Sequence, residues 1–329
     1  MAENMQFMEI ELSVIIPAYN IEPHILQRCV NSMQFISELM PYEIWIVDDG
    51  SREDYIVQWV EGLQQAHIHA IRQSNMGPGG ARNTGIEHAQ GRYLTFVDAD
   101  DYLLYGTYYT ILKHLLEKQP DILCHGSMVR YEGPAVKFMM ERDICPSCCS
   151  YIIRRETLGT LRFTPHIYHE DEQFCTLLHL RRAHLLTVPE NGYFYRYRPE
   201  SITHNPELIH KRFQDFLTVL QNLQQTPIAP TYRPALERRL DIMAMCYLVT
   251  LMRDTNGRKQ TLDSLRSLRT INLYPLPRKW HGIRYFLLRI ATIHPWLVVC
   301  ITPLAKQLIL IHNSEDRSRS FIAHIDKWK

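Results

Sequence analysis

The chain has 329 residues, a formal net charge of +1 and an apolar fraction of 46%. A chain of this length and apolar fraction can bury a hydrophobic core, which excludes a peptide or a disordered protein. It can form either one large domain with an extension or two domains. The near-neutral charge hides an asymmetry, because residues 253–329 contain 14 Lys and Arg but only 5 Asp and Glu. The two parts of the chain are therefore predicted to have different tasks.

Eight cysteines are scattered along the chain, and the first residues lack the basic and apolar regions of a signal peptide. A reducing cytoplasm is the simpler interpretation of both features. Cys145, Cys148 and Cys149 briefly suggest a zinc knuckle, but no second Cys-x-x-Cys completes a set of about four ligands. Structural thiols are the favoured interpretation, with a metal site as the alternative.

Short apolar runs alternate with helical periodicity over the first hundred residues. The predicted elements, in chain order, are a strand at Leu12–Ile16, a helix carrying Ile25 to Met33, a strand at Glu43–Val47, a helix at Glu53–Ala66, a strand at Ile68–Arg72, a helix opened by the loop 75–80 and reaching His88, and a strand at Arg92–Val97. This βαβαβ alternation predicts an α/β fold: a mostly parallel sheet with helices on both faces.

Beyond residue 102 the pattern is less regular. A helix is predicted at Thr107–Lys118 and a strand at Asp121–Cys124, followed by an irregular region to about Ile144. From Lys211 onward the pattern is mainly helical, with Leu236–Met252 strongly amphipathic. The chain is therefore predicted to end in a mainly α-helical extension.

Polar side chains follow three of the predicted strands where each strand ends. The segments are Pro17-Ala-Tyr-Asn20, Asp48-Asp-Gly-Ser51 and Asp98-Ala-Asp-Asp101. Because each segment follows the carboxyl end of a strand in a parallel sheet, the three are predicted to share one edge of the sheet. Ligands bind at this edge in such folds. Three carboxylates in four positions repel one another, and a bound Mg²⁺ or Mn²⁺ would compensate them. The alternative is a solvated turn, which would suffice for one or two acids.

Neither a Gly-x-Gly-x-x-Gly motif nor a Walker phosphate loop occurs, which argues against a dinucleotide oxidoreductase or a P-loop kinase. A divalent ion held by carboxylates would instead offset the charge that builds on a departing diphosphate. A nucleotide-sugar transferase needs that chemistry.

Five motifs in order resemble the family-two glycosyltransferases of the GT-A fold. They are Pro17-Ala-Tyr-Asn20, Val47-Asp-Asp-Gly-Ser51, Asn75-x-Gly77 with Ala81-Arg-Asn-x-Gly85, Phe96-Val-Asp-Ala-Asp-Asp101 and Glu170-Asp171. The resemblance covers residues 12 to about 205. It implies a GT-A catalytic domain at 1–210, with a nucleotide-binding half at 12–101 and an acceptor half at 102–210, and a separate basic helical region at 211–329.

The resemblance also implies roles for the residues at the strand ends. Tyr19 would stack on the nucleotide base, and Asp49 would accept a hydrogen bond from the uracil ring, which favours uridine. Asp98 would lie near the ribose and the metal, and Asp100 would ligate the metal. The other implied residues are Pro17, Asn20 and Asn75 for the nucleotide and Asp101 and His204 for the metal, with helix capping and an ordinary surface histidine as the respective alternatives.

The remaining implied residues lie on two predicted helix starts. Arg82, in a first helical turn, would meet the nucleotide or its diphosphate, with a surface salt bridge as the alternative. Asp171 would be the base that takes the acceptor hydroxyl's proton in a single inverting displacement. Glu170 and Glu172 are better explained as acids that stabilise the start of the helix.

The C-terminal region raises the question of a membrane. Leu287–Ile311 is rich in apolar residues, yet its longest clean run, Pro295–Ala305, is far shorter than the ~20 residues of a spanning helix. Basic and aromatic residues alternate just upstream, a pattern typical of segments that lie in a membrane interface. A helical lid or a dimer contact is the alternative. Nucleic acid is not predicted as a partner, because no nucleic-acid-binding motif accompanies the basic charge.

Together these features predict an inverting, metal-dependent glycosyltransferase that uses a UDP-sugar at the cytoplasmic face of the membrane. By resemblance, the acceptor would be a glycan or a polyisoprenyl diphosphate-linked glycan of a cell-surface polysaccharide. One alternative is an enzyme that builds the nucleotide-sugar. Another is a catalytically silent nucleotide- or glycan-binding partner in a polysaccharide assembly complex.

Overall fold

The computed structural model describes residues 9–198, 201–202, 205–254, 258–277, 281 and 283–300. The chain divides into two compact units. The first runs up to Phe138 and from Ile144 to Arg196, and the second comprises Met139–Asp143 and the chain from Tyr197 onward.

The first unit is built on an eight-stranded mixed sheet. Its strands are β1 (Leu12–Ala18), β2 (Tyr42–Asp48), β3 (Ile68–Arg72), β4 (Tyr93–Phe96), β6 (Ile122–His125), β7 (Tyr131–Pro134), β8 (Tyr151–Arg154) and β9 (His184–Val188), in the spatial order β3-β2-β1-β4-β8-β6-β9-β7. The strands β3, β2, β1 and β4 are mutually parallel, whereas β8 runs antiparallel to both of its neighbours. A separate two-stranded ribbon pairs β5 (Tyr102–Leu103) with β10 (Tyr193–Phe194).

Helices connect the strands. They are α1 (Pro23–Asn31), α2 (Ile56–Leu63), α3 (Gly77–His88), α4 (Tyr105–Lys118), α5 (Ala135–Glu141), α6 (Arg155–Leu158) and α7 (Glu170–His179). The prediction of an α/β fold with a mostly parallel sheet is confirmed. The core lies where the apolar strands meet helices such as α1, whose buried Ile25, Leu26, Cys29 and Val30 recur at helical spacing.

Some predicted boundaries are wrong. Helix α2 is shorter than predicted, because Gln64 adopts a left-handed conformation and ends it. Helix α3 already begins at Gly77, inside the segment predicted to be a loop. The region from 125 to 144, predicted to be irregular, contains β7 and α5, which the sequence pattern did not indicate.

The second unit is mainly helical, as predicted. Its helices are α8 (Ile209–Gln225), α9 (Arg233–Asp254), α10 (Arg258–Thr270) and α11 (Ile283–Thr292), and residues 295–300 are also helical. Helix α9 contacts α8, α10 and α11, so it is the centre of this unit. Within the described ranges, we find no helix with the length and apolar character that crossing a membrane requires.

The contact between α3 and β1 yields a test of the packing. A Cβ added at Gly85 would lie 2.3 Å from Cγ2 of Ile15, whereas a Cβ at Gly62, on α2, would meet nothing within 4 Å. We expect Gly85→Ala to lower the free energy of unfolding by about 1–3 kcal/mol, because the helix and strand must separate. The control Gly62→Ala should raise it by about 0.5–1 kcal/mol. Urea denaturation measures both, and an unchanged midpoint for Gly85→Ala would contradict the packing.

Candidate active site

Three neighbouring strands bring their polar ends to one edge of the sheet. Strand β1 lies between β2 and β4 and is parallel to both, so Tyr19, Asp49 and Asp98 all follow the carboxyl ends of adjacent strands. Pro17 is partly buried within β1, whereas Tyr19, just after it, is 54% exposed. The predicted common edge is therefore present.

The turns after β1 and β2 are bound to each other. The backbone N–H of Asn20 donates to Ser51 Oγ at 2.9 Å, and the N–H of Arg52 donates to Asn20 Oδ1 at 2.9 Å. Asn20 adopts a left-handed conformation with φ of 46°, which asparagine tolerates better than most residues. Asn20 thus holds the segment that presents Tyr19.

Asp49 is buried, and its position is fixed by the loop before α3. Its Oδ1 accepts hydrogen bonds from Gln73 Nε2 and from the N–H of Met76, both at 2.8 Å. Burial raises the pKa of this carboxyl, and the hydrogen bonds oppose that shift. Asn75 is exposed in the same loop, with its Oδ1 accepting from the N–H of Gly77 at 3.3 Å.

Arg82 lies in the second turn of α3, not in its first turn as predicted, and it forms a buried salt bridge. Its Nη2 lies 2.8 Å from Asp98 Oδ1, and its Nη1 lies 2.5 Å from Glu170 Oε1. The side chains of Arg82 and Glu170 are 6% and 7% exposed, and that of Asp98 is 37% exposed. Glu170 does lie in the first turn of α7, as predicted, and in addition it is the buried partner of Arg82, which the sequence did not indicate.

Asp101 is buried and has protein donors for both of its carboxylate oxygens. Tyr193 Oη donates to Oδ2 at 2.6 Å, and the N–H of Arg196 donates to Oδ1 at 2.7 Å. Burial, followed by the charges of Asp98 and Asp100, raises the pKa of Asp101 to about 8. Helix capping by Asp101 is excluded, since the N-cap of α4 is Leu104.

The acids after β4 provide the donor chemistry for a divalent ion. Asp98 and Asp100 are partly exposed, and carboxylate oxygens are the ligands that Mg²⁺ and Mn²⁺ prefer. These ions often take only one or two protein ligands, so the pair fits such an ion. Among the described residues, no group of three or more His, Cys, Asp or Glu is placed to hold a metal alone. His204 lies outside the described residues.

Asp171 is the second residue of α7 and is partly buried. The helix follows His169, which adopts a left-handed conformation, and Asp171 Oδ1 accepts from the N–H of Glu172 at 2.8 Å. Burial raises the pKa of Asp171 well above its usual value, the neighbouring acids Glu170 and Glu172 raise it further, and Arg82 opposes them. A partly accessible carboxylate with a raised pKa has the properties of a general base.

Sequence reasoning missed several contacts that shape this site. Gln73 fixes Asp49, Tyr193 fixes Asp101, and Asn83 exchanges hydrogen bonds of 2.9 and 2.8 Å with the backbone of Phe163. Asn83 and Tyr193 had a signal, since Asn83 belongs to the motif Ala81-Arg-Asn-x-Gly85 and Tyr193 to the aromatic and basic segment 193–198, whereas Gln73 had none. Cys148 and Cys149 are buried near the site as free thiols, and Cys145 is partly buried.

The mixed sheet, with acids at the carboxyl edge of its parallel strands, has the architecture of the GT-A glycosyltransferase fold. Residues 13–180, just over half of the chain, match the family model for glycosyl transferase family 2. The chain therefore belongs to glycosyltransferase family 2 and is a glycosyltransferase.

Two curated relatives come from Bacillus subtilis. The uncharacterized glycosyltransferase EpsJ is 29% identical over 242 residues, covering 62% of this chain and 67% of EpsJ. The minor teichoic acid biosynthesis protein GgaB is 27% identical over 220 residues, covering 60% of this chain and 24% of GgaB. The matched segments thus span about two thirds of the length of EpsJ and about a quarter of the length of GgaB.

A solved structure shares the fold. Staphylococcus aureus TarS 1–349, in complex with UDP-GlcNAc, superposes with a TM-score of 0.60 at 18% identity, covering 90% of this chain and 88% of that one. At this level of identity the likeness extends to the fold alone.

Proposed function

We propose that this glycosyltransferase is inverting and metal-dependent, and that it transfers a hexose from a UDP-sugar to a glycan or lipid-linked acceptor. The product would be part of a cell-surface polysaccharide. One observation carries the proposal: through Arg82, the Asp98 turn at the sheet edge meets Glu170, the residue next to Asp171. The acids that would receive the donor and the acid that would activate the acceptor therefore share one region.

In this proposal Asp171 takes the proton from the acceptor hydroxyl as that oxygen attacks the anomeric carbon. A single displacement inverts the configuration and needs no enzyme nucleophile. The burial that raises the pKa of Asp171 makes it a stronger base than an exposed aspartate, while leaving part of its side chain accessible. The N–H of Glu172 donates to Asp171 Oδ1 at 2.8 Å, and this hydrogen bond orients the carboxylate.

The donor would be held by the turns after β1 and β2. The exposed ring of Tyr19 supports stacking on a base, and the fixed carboxylate of Asp49 supports a hydrogen bond to uracil. Pro17, Asn20 and Asn75 would line the same nucleotide. TarS, which shares the fold, was solved with UDP-GlcNAc, and this supports a uridine donor.

Asp98 and Asp100 would hold the divalent ion, since both are partly exposed, whereas both oxygens of Asp101 already accept protein hydrogen bonds. When bound, the ion would neutralise charge on the departing diphosphate. Asp98 would also remain oriented by Arg82. In this assignment Asp101 supports the site by fixing Tyr193 and Arg196.

The second unit, from Tyr197 onward, would bring the enzyme to the cytoplasmic face of a membrane where a polyisoprenyl-linked acceptor resides. Leu287, Ile290, Ile293 and Leu297 are exposed in and after α11, with Leu287 at 59%. The basic surplus of this region complements anionic lipid, each cation near the surface adding about 1 kcal/mol. The name of GgaB, a teichoic acid biosynthesis protein, supports an acceptor in surface polysaccharide assembly.

The first test concerns the base. We expect Asp171→Asn to lower kcat by about 10²–10⁴-fold, because no group remains to accept the acceptor's proton. UDP binding, measured by calorimetry, should stay within about threefold of the wild type, since the side chain keeps its shape. The rate of the wild type should fall as pH decreases through the raised pKa of Asp171, because the protonated carboxyl cannot accept a proton.

Glu172→Gln is the matched control, because it removes a neighbouring acid from the same helical turn and should retain most activity. A wild-type rate for Asp171→Asn would overturn the assignment of the base. If the wild type and the variant were equally inert towards every donor, a nucleotide-binding partner would become the better hypothesis.

The second test concerns the donor and the ion. We expect calorimetric titration with UDP-, GDP-, TDP- and CMP-sugars to favour UDP, and Mn²⁺ to strengthen binding. Asp49→Asn should lose the preference for uridine, because its amide can donate where the carboxylate only accepts. Asp100→Asn should lose the Mn²⁺ effect and weaken Mn²⁺ binding as measured by electron paramagnetic resonance. Metal-independent donor binding, or a preference for another base, would contradict these roles.

The third test concerns the membrane. We expect the wild type to sediment with vesicles containing anionic phosphatidylglycerol and less with neutral phosphatidylcholine. The double variant Leu287→Glu with Ile290→Glu should abolish this binding, because charges in the membrane interface oppose burial of the apolar face of α11. Leu116→Glu, at an exposed apolar position on α4, is the control and should still bind.

Two outcomes would contradict membrane contact. The wild type could fail to bind either type of vesicle. Alternatively, the double variant could change the oligomeric state in sedimentation velocity and leave vesicle binding intact, which would identify the apolar face as a contact between copies of the chain.

A further inference from the structure

The guanidinium of Arg82 joins two acids that lie far apart in the sequence. Asp98 follows β4, whereas Glu170, 88 residues from Arg82, is the first residue of α7. Both Nη atoms are engaged, one by each carboxylate, at 2.8 and 2.5 Å. Among the described residues, Nε of Arg82 is buried and has no hydrogen-bond partner. The side chain therefore has little surface to offer a diphosphate.

The surroundings of Arg82 restrict its movement. Its guanidinium lies 5.4 Å from the ring centroid of Phe163, which stacks on Phe174 of α7 with centroids 3.8 Å apart. The next residue, Asn83, holds the backbone of Phe163 through two hydrogen bonds. Helix α3 is thus bound to the segment that leads into α7 at consecutive positions.

The backbones in this region are also in close contact. A Cβ added at Gly79 would lie 2.8 Å from the carbonyl oxygen of Thr164 and 3.1 Å from Cγ of Glu170. The absence of a side chain at Gly79 lets the first turn of α3 approach the start of α7. The position of Glu170, and with it that of Asp171, is therefore set from α3.

Burying the ion pair of Arg82 and Glu170 has an unfavourable desolvation free energy. Removing one partner of such a pair leaves the other charge buried and uncompensated, which strongly destabilises the fold. An apolar pair of similar volume would often stabilise a protein equally well. A geometric role accounts for a charged pair at this place, because the planar guanidinium fixes two carboxylates in defined directions.

We propose that Arg82 is a positioning residue that fixes the start of α7 relative to the Asp98 turn, and does not contact the nucleotide. It acts through Glu170, so that Asp171 faces the acceptor hydroxyl at the correct distance from the donor. The inference rests on the proposed function of Asp171 as the base. It assigns to Arg82 a role different from the one that the family resemblance implied.

Arg82→Lys is the principal test, because lysine keeps the charge but its single ammonium cannot hold two carboxylates in the same fixed directions. We expect kcat to fall by about 10- to 100-fold, since a displacement of about 1 Å at the base has an effect of that size. The KM and Kd for the donor should stay within about threefold of the wild type, because the nucleotide is not touched. Arg92→Lys, an exposed arginine 3.9 Å from Glu11, is the control and should leave kcat unchanged.

A second variant tests the positioning role of Arg82 if Arg82→Lys does not fold. Glu170→Gln keeps an oxygen that accepts from Arg82 Nη1 but removes the ion pair, so its effect on kcat should be smaller, about tenfold, again with an unchanged KM for the donor. Circular dichroism and urea denaturation establish the folded fraction to which each kcat is normalised.

The possible results separate three roles. A lower kcat with an unchanged KM for the donor supports positioning. A raised KM and Kd for the donor with a normal kcat identifies a nucleotide contact, and a lower unfolding midpoint with normal kinetics identifies a purely structural pair. Either of these two results would overturn the inference, as would a normal kcat for Glu170→Gln if Arg82→Lys does not fold.

The proposed function and this inference fail in different ways. Full activity of Asp171→Asn would overturn the base and the inference that depends on it. An inactive Asp171→Asn together with a fully active Arg82→Lys would overturn only the role of Arg82.

Discussion

Negative charge gathered at the carboxyl edge of the sheet is the constraint on which the site depends. Parallel strands bring their ends together, so acids that follow β2 and β4 lie at the same edge of the sheet whatever their separation in sequence. Each buried carboxylate must then find donors, because an uncompensated charge away from water is strongly unfavourable. The fold meets this requirement separately for each acid, and the manner in which it does so distinguishes their roles.

Buried acids of this site accept hydrogen bonds from the protein. Asp49 is held by a glutamine amide and a backbone N–H, Asp101 by a tyrosine hydroxyl and a backbone N–H, and Glu170 by an arginine. Asp98 and Asp100 differ, because each retains partial exposure at the turn after β4. Asp49, Asp101 and Glu170 are therefore bound within the protein, whereas Asp98 and Asp100 keep part of their surface exposed. Arg82 binds one acid from each group, the buried Glu170 and the partly exposed Asp98.

The sequence allowed prediction of what depends on local pattern. Apolar runs located the parallel strands β1 to β4, and polar segments at their ends located the common edge, because period and turn chemistry are encoded within a few residues. Prediction failed where contacts are distant. Nothing near Glu170 indicates a partner at Arg82, and nothing near Asn83 indicates that it holds the backbone of Phe163. The short elements β7 and α5 were also missed, because four strand residues do not establish a periodicity.

The antiparallel strand β8 explains how two parts of the chain form one site. It lies between β4, the last of the four parallel strands β3-β2-β1-β4, and β6, and it pairs with both. The chain that leaves β8 continues through α6 and Phe163 to α7, so the strand that joins the halves of the sheet also begins the path to Asp171. The sheet alone would fix only the start of that path. The salt bridge of Arg82 with Glu170 and the hydrogen bonds of Asn83 with Phe163 fix its end. The start of α7, which carries Asp171, is therefore held from α3, the helix whose first turns approach the proposed nucleotide site.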